Sequence, residues 1–142
     1  MTLKQDDRRG SESEINDIRK RLGSRLSQIS VKDRVEIAEK AGRILFENKL
    51  STSQIRNFLQ EVSRIRPEDA DAPDAIHYLR VPLAYAVGRA GEGGRTEEAA
   101  RAAHDLFASA IDAVKDSEDV KAFVEFVQAV VAYHRYHGGK NN

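Results

Sequence analysis

The chain has 142 residues, no cysteine, no tryptophan, and 23 basic side chains balanced by 23 acidic ones. That length suits one domain with a sizeable core, and the missing cysteines exclude a disulfide framework or a thiolate metal site. Zero net charge excludes a histone-like polycation but still allows basic groups at chosen points, the more so because residues 1–50 lean basic and 96–125 lean acidic.

Residues 1–12 are polar and aperiodic and are expected to form a disordered tail, leaving 13–142 as a single helical domain. The start has no apolar h-region, and polar residues after Arg8-Arg9 argue against a twin-arginine signal. With no window apolar enough to span a membrane, a cytoplasmic protein is expected.

From Glu14 to Ile29, Ile15, Ile18, Leu22, Leu26 and Ile29 recur at helical steps, with Arg19, Lys20, Arg21 and Arg25 on the outer face. Asp33–Asn48 repeats the pattern with Val35, Ile37, Ala38, Ala41, Leu45 and Phe46. The third helix opens on Ser51 and Gln54, a capping box, and its core stripe is Ile55, Phe58, Leu59, Val62 and Ile65. The acidic, proline-bearing stretch 67–74 predicts a loop. A fourth helix runs from Ala75 or Pro82 to Ala90, with Pro82 either opening or kinking it. Gly91, Gly93 and Gly94 predict a flexible turn, Thr96 caps an alanine-rich fifth helix over Glu97–Val114, and Ser117 caps the sixth.

The last helix is apolar around almost its whole circumference from Val120 to Tyr133, so it should be wrapped by the others. His134, Arg135, His137 and Lys140 follow at its carbonyl end, where cations are favoured, before Gly138-Gly139 closes it. No strand pattern competes. The expected fold is all-α, a compact bundle of about five to six helices with a buried C-terminal helix.

Catalytic chemistry is hard to place on this chain. His134 and His137 have ligand spacing, but a third ligand and the glutamate of a His-Glu-x-x-His helix are missing, so they read as two amphipathic rings at a helix end. Arg101 is too close to His104, and Arg66 too far from His77, for the arginine–histidine pair of helical prokaryotic nucleases. The glycine run has no Gly-Lys-Ser/Thr ending, and no nucleophile or paired-carboxylate constellation stands out. The expectation is no enzyme, no metal and no cofactor.

Three stretches, LSTSQIRNFL at 50–59, YLRVPLAYAVGRAG at 78–91 and AVVAYHRYHGGK at 129–140, together resemble in order and spacing the small helical subunit of type III-A (Csm) CRISPR–Cas effector complexes. The glycine-terminated aromatic ending is the most specific of them. The resemblance implies a compact, non-catalytic all-α subunit. Copies would stack beside the backbone subunits that hold the guide RNA and help cradle the target RNA pairing with it, while neighbouring subunits carry the cleavage and other activities. Partners implied are therefore the guide–target RNA duplex, the other subunits of the complex and further copies of this chain. Pro82 departs from the helix-continuing residue expected there, and His134 and Arg135 stand where aromatic and basic residues mix. Residues 1–45 carry no matching motif.

A subunit that holds RNA without reading sequence needs cations aimed at phosphates. Arg56 and Arg64 form a ridge with Gln60 opposite the core stripe of the third helix, and Lys49 precedes its cap. Arg80 and Arg89 flank the fourth helix; Arg135 and Lys140 lie at the chain's end. These seven are the candidate RNA contacts, the alternatives being a solvated face or dipole partners. Phe123, Phe126 and Tyr133 read as core rather than as base-stacking rings, with Tyr136 and His137 undecided between the two.

Overall fold

In the computed structural model the regular structure is all-α, seven helices and one 3-10 turn, with no strand among the described residues. The backbone is described for residues 3–93 and 97–138, and side chains for 12–90 and 97–138.

Helix α1 (Leu3–Leu22) begins inside the stretch expected to be a disordered tail. Ile15, Ile18 and Leu22 are buried, and once those turns are fixed each further residue adds to the helix without a new nucleation cost. The segment read as one helix to Ile29 is interrupted at Gly23, whose φ of 65° is the left-handed closing residue of a helix. A 3-10 turn at Leu26–Gln28 follows, and Leu26 stays fully buried. Apolar spacing therefore marks the core correctly across a break that it does not reveal.

Helix α2 (Val31–Glu47) is capped by Ser30, whose Oγ accepts from the Asp33 amide at 3.1 Å. Helix α3 (Thr52–Ser63) opens on the expected Ser51–Gln54 capping box, with both bonds made at 3.0 and 3.1 Å. The expected fourth helix is two: α4 (Ala72–Tyr78), with Pro73 in its first turn, and α5 (Arg80–Gly93). Pro82 sits in the first turn of α5, where its missing N–H would have had no helical partner. Of the glycine turn expected after it, Gly91 and Gly93 belong to α5, and 94–96 lie outside the described residues, as does the Thr96 cap.

Helix α6 (Glu97–Asp112) buries a stripe of alanines with Leu106 and Phe107 against α1 and α5. Helix α7 (Ser117–Gly138) is the central element, touching α2, α3, α4 and the 3-10 turn. Its cap is Asp116 rather than Ser117: the Asp119 amide donates to Asp116 Oδ1 at 3.1 Å. Phe123, Phe126, Val127 and Val130 form the spine of one hydrophobic core, and full burial of each such side chain stabilises by about 1.5–3 kcal/mol. Gly42 lets α2 lie almost on α7, since a Cβ there would stand 2.6 Å from the His134 amide nitrogen and 2.8 Å from Tyr133 Cβ. Val35 and Phe46, expected as core positions of α2, are exposed; Ile44, which is not among the expected core positions, is buried instead.

Candidate nucleic-acid interface

At one pole of the molecule the α2–α3 turn meets the end of α7. The turn is a Schellman closure: the Leu50 amide donates to the Leu45 carbonyl at 3.0 Å and the Lys49 amide to the Phe46 carbonyl at 2.9 Å. Lys49 occupies the left-handed position with φ 73°, the one non-glycine residue with positive φ among those described. Glycine normally takes this position, because a Cβ there crowds the following carbonyl. The chain instead keeps an exposed lysine.

His134 fixes the turn to α7. The residue is 3% exposed, and Nε2 lies 2.7 Å from the Leu50 carbonyl, so Nε2 carries the proton and donates. The Phe46 ring packs edge-on against it at 6.2 Å, and a Cβ on Gly138 would lie 3.1 Å from that same ring. The reading of His134 as an amphipathic ring at a helix end thus becomes specific: it is a buried clasp. His134 Nδ1 and His137 Nε2 are buried without a hydrogen-bond partner among the described residues. No group of three His, Asp or Glu side chains among those residues is placed to share a metal ion.

Arg56 is exposed one turn into α3, and Arg135 is exposed near the end of α7. Neither they, nor Lys49, nor Arg89 makes an ion pair among the described residues. At 100° per residue, Arg56 lies on the far side of α3 from the core-packed Phe58. Arg64 is the C-cap of α3, itself exposed and paired loosely with Glu61 at 3.5 Å.

Arg80 belongs elsewhere. It pairs with Asp112 at the last residue of α6, close to where α7 begins, so it pins α5 to α6. A helix of the 22 residues of α7 runs roughly 33 Å, which separates that contact from Arg135. Arg89 stands near the end of α5, and Lys140 lies outside the described residues. The structure therefore gathers Lys49 and Arg135 at one pole, with Arg56 following from the same turn, and leaves Arg80 and Arg89 on α5.

Of the four cations expected on the outer face of the first helix, Arg19, Arg21 and Arg25 make bonds within the fold, while Lys20 is exposed. Arg25 pairs with Asp116 and, at 2.9 Å, with the fully buried Asp119. Asp119 also accepts from the amides of Ser27 and Lys115 at 2.9 Å. Burial pushes this carboxyl up, but the bonds from Ser27, Lys115 and Arg25 outweigh it and hold it at about 2. Arg19 donates to Ser109, and Arg21 to Glu36.

A groove of about 480 Å³ separates α3 from α5 over α6. Its walls include Ile55, Phe58, Leu83 and Phe107, its α3 rim Gln54 and Glu61, and no cation among the described residues lines it. Such a lining suits apolar groups and gives phosphate nothing to bind. Tyr78, Val81 and Tyr85 are also exposed, a feature of α4 and α5 that sequence periodicity does not reveal.

A family model described as Csm2 Type III-A matches residues 28–140. A Streptococcus thermophilus protein named "CRISPR system Cms protein Csm2" is 32% identical over 117 residues, covering 75% of this chain and 93% of the relative. No solved structure matches significantly.

Proposed function

The chain belongs to the Csm2 type III-A family, a small subunit of a type III-A CRISPR complex, and from that premise we propose that it lines the guide–target channel and holds target RNA by its phosphates, without sequence preference and without catalysis of its own. The observation that carries this reading is the α2–α3 turn. Two cations with no ion pair among the described residues, Lys49 and Arg56, stand on a Schellman closure and a capped helix start. Rigid presentation matters because the backbone that carries each cation has little freedom left to lose when the side chain meets a phosphate. Arg135 adds a third from α7. Contacts of this type fix a backbone and carry no base information. The partners on this reading are the guide–target RNA duplex, neighbouring subunits and further copies of the chain in the cytoplasm. A few phosphate contacts bind weakly alone, so copies aligned along one RNA supply the affinity.

A second reading is a helical adaptor that contacts only protein. The exposed Val81 and Tyr85, and a groove beside α3 lined by no cation among the described residues, favour it. Filter binding of single-stranded RNA at several salt concentrations separates the two. Phosphate neutralisation gives a slope of roughly −0.7 per contact in log–log form. Arg56→Ala should lower affinity about tenfold or more, as loss of a charge-assisted bond does, and Arg56→Lys should recover part of it. Melting should be unchanged in both, because Arg56 is exposed and lies across α3 from the core-packed Phe58. Wild-type affinity and slope in Arg56→Ala would remove Arg56 from the interface, and a slope near zero in the wild type would favour the adaptor.

A further inference from the structure

Tyr136 is 72% exposed, the most exposed large apolar side chain among those described. Its neighbours are aromatic too. The Tyr133 ring lies 6.0 Å away at 83°, and the His137 ring 5.1 Å away at 79°, both near-perpendicular. Edge-to-face contacts of this kind are attractive and orient a ring. Tyr136 is thus held from its own helix while most of its surface stays bare. The fold obtains little burial from it, unlike Phe123 or Phe126 further back on the same helix. Arg135, the preceding residue, is exposed and has no ion pair among the described residues.

An oriented, bare aromatic ring beside an unpaired guanidinium is the combination that binds single-stranded nucleic acid: the ring stacks on a base and the cation meets the adjoining phosphate. We propose that Tyr136 is a stacking platform for an unpaired RNA base, with Arg135 on the neighbouring phosphate. This rests on the RNA-binding reading above and adds a base contact that phosphate recognition does not require. A base inside a duplex already has both faces stacked, so the platform takes one that is unpaired, at a strand end, a gap or a bulge. Every base has a π-face, so the contact stays tolerant of sequence.

The test uses the full chain and a uridine-rich RNA carrying one 2-aminopurine, whose fluorescence falls when the base stacks. The wild type should quench it on binding. Tyr136→Ala should lower affinity about 5- to 100-fold, the range for loss of one base–aromatic stack, and abolish the quench. Tyr136→Phe should keep both, since the ring survives. Arg135→Ala should reduce the salt slope by roughly 0.7 while the quench remains. Circular dichroism should be unchanged in all three. Wild-type affinity and quench in Tyr136→Ala overturn the platform and leave the phosphate reading standing. A wild type that shows no salt-sensitive RNA binding overturns both. A Tyr136→Ala defect confined to self-association, read by sedimentation, makes the ring a protein contact and overturns the proposal.

Discussion

Lys49→Gly should make the protein more stable and a poorer RNA binder at once. Lys49 holds φ 73° at the closing position of α2, and both Schellman bonds are made by backbone amides, its own and that of Leu50, not by its side chain. An L-residue in this region carries a cost of roughly 1–2 kcal/mol that glycine avoids. Glycine gives back part of that through the entropy of its unfolded chain, about 0.5–1 kcal/mol. The net gain is about 0.5–1 kcal/mol, a rise in Tm of a few degrees for a chain of this size. The same change deletes one cation, so RNA affinity should fall about tenfold and the salt slope by roughly 0.7. Lys49→Asn is the control, since asparagine tolerates the left-handed region but carries no charge. Its stability should lie between the other two, and its RNA binding should match Lys49→Gly. Thermal melts with filter binding at two salt concentrations read both effects. A lower Tm in Lys49→Gly refutes the backbone argument; a higher Tm with unchanged affinity and slope refutes the phosphate contact.

Asp119 should dominate the acid limb of stability. Its carboxyl is held at about 2, against 3.8 when unconstrained, which at 1.36 kcal/mol per unit is about 2.5 kcal/mol. Because the folded value is depressed, that stability is complete above pH 4 and is lost as pH falls through 2. The gap in denaturation free energy between wild type and Asp119→Asn should be widest near pH 6 and shrink by about that amount towards pH 2; a pH-independent gap sinks the assignment. Gly42→Ala should destabilise by about 1–3 kcal/mol or more, because the new methyl meets α7 backbone atoms that cannot swing aside. A Gly42→Ala melt equal to wild type would mean α2 and α7 pack more loosely than described.

Much of the core was legible because its signal is periodic. Ile15, Ile18, Leu22, Ile37, Ile55, Val62, Phe123 and Val127 are all buried where helical spacing put them. Breaks were less legible: Gly23 ends α1 inside an unbroken apolar rhythm, and the chain turns at Leu79 without a glycine or proline of its own. Side-chain partners were least legible of all. Arg80 and Arg89 look alike in sequence, yet Asp112, thirty-two positions away from Arg80, engages one and not the other. The Asp119 cluster joins residues more than ninety positions apart, so no local pattern could have found it.

The pairing of Lys49 with His134 gives the pole its logic. A left-handed lysine is tolerable only where the surrounding structure over-determines the turn. Here the capping box of α3 begins two residues after it at Ser51, the Leu45 carbonyl closes α2 beneath it, and His134 grips the Leu50 carbonyl from α7. Each of those bonds belongs to a different element, so the turn cannot relax without disturbing the cap, the helix end and the central helix together. Burial gives His134 little exchange with water, and glycine at position 42 is what lets its backbone come so close to α2. The fold therefore spends three constraints on orienting a loop whose only outward-facing charge is Lys49. A turn with no task beyond joining two helices would be served as well by glycine, at lower conformational cost.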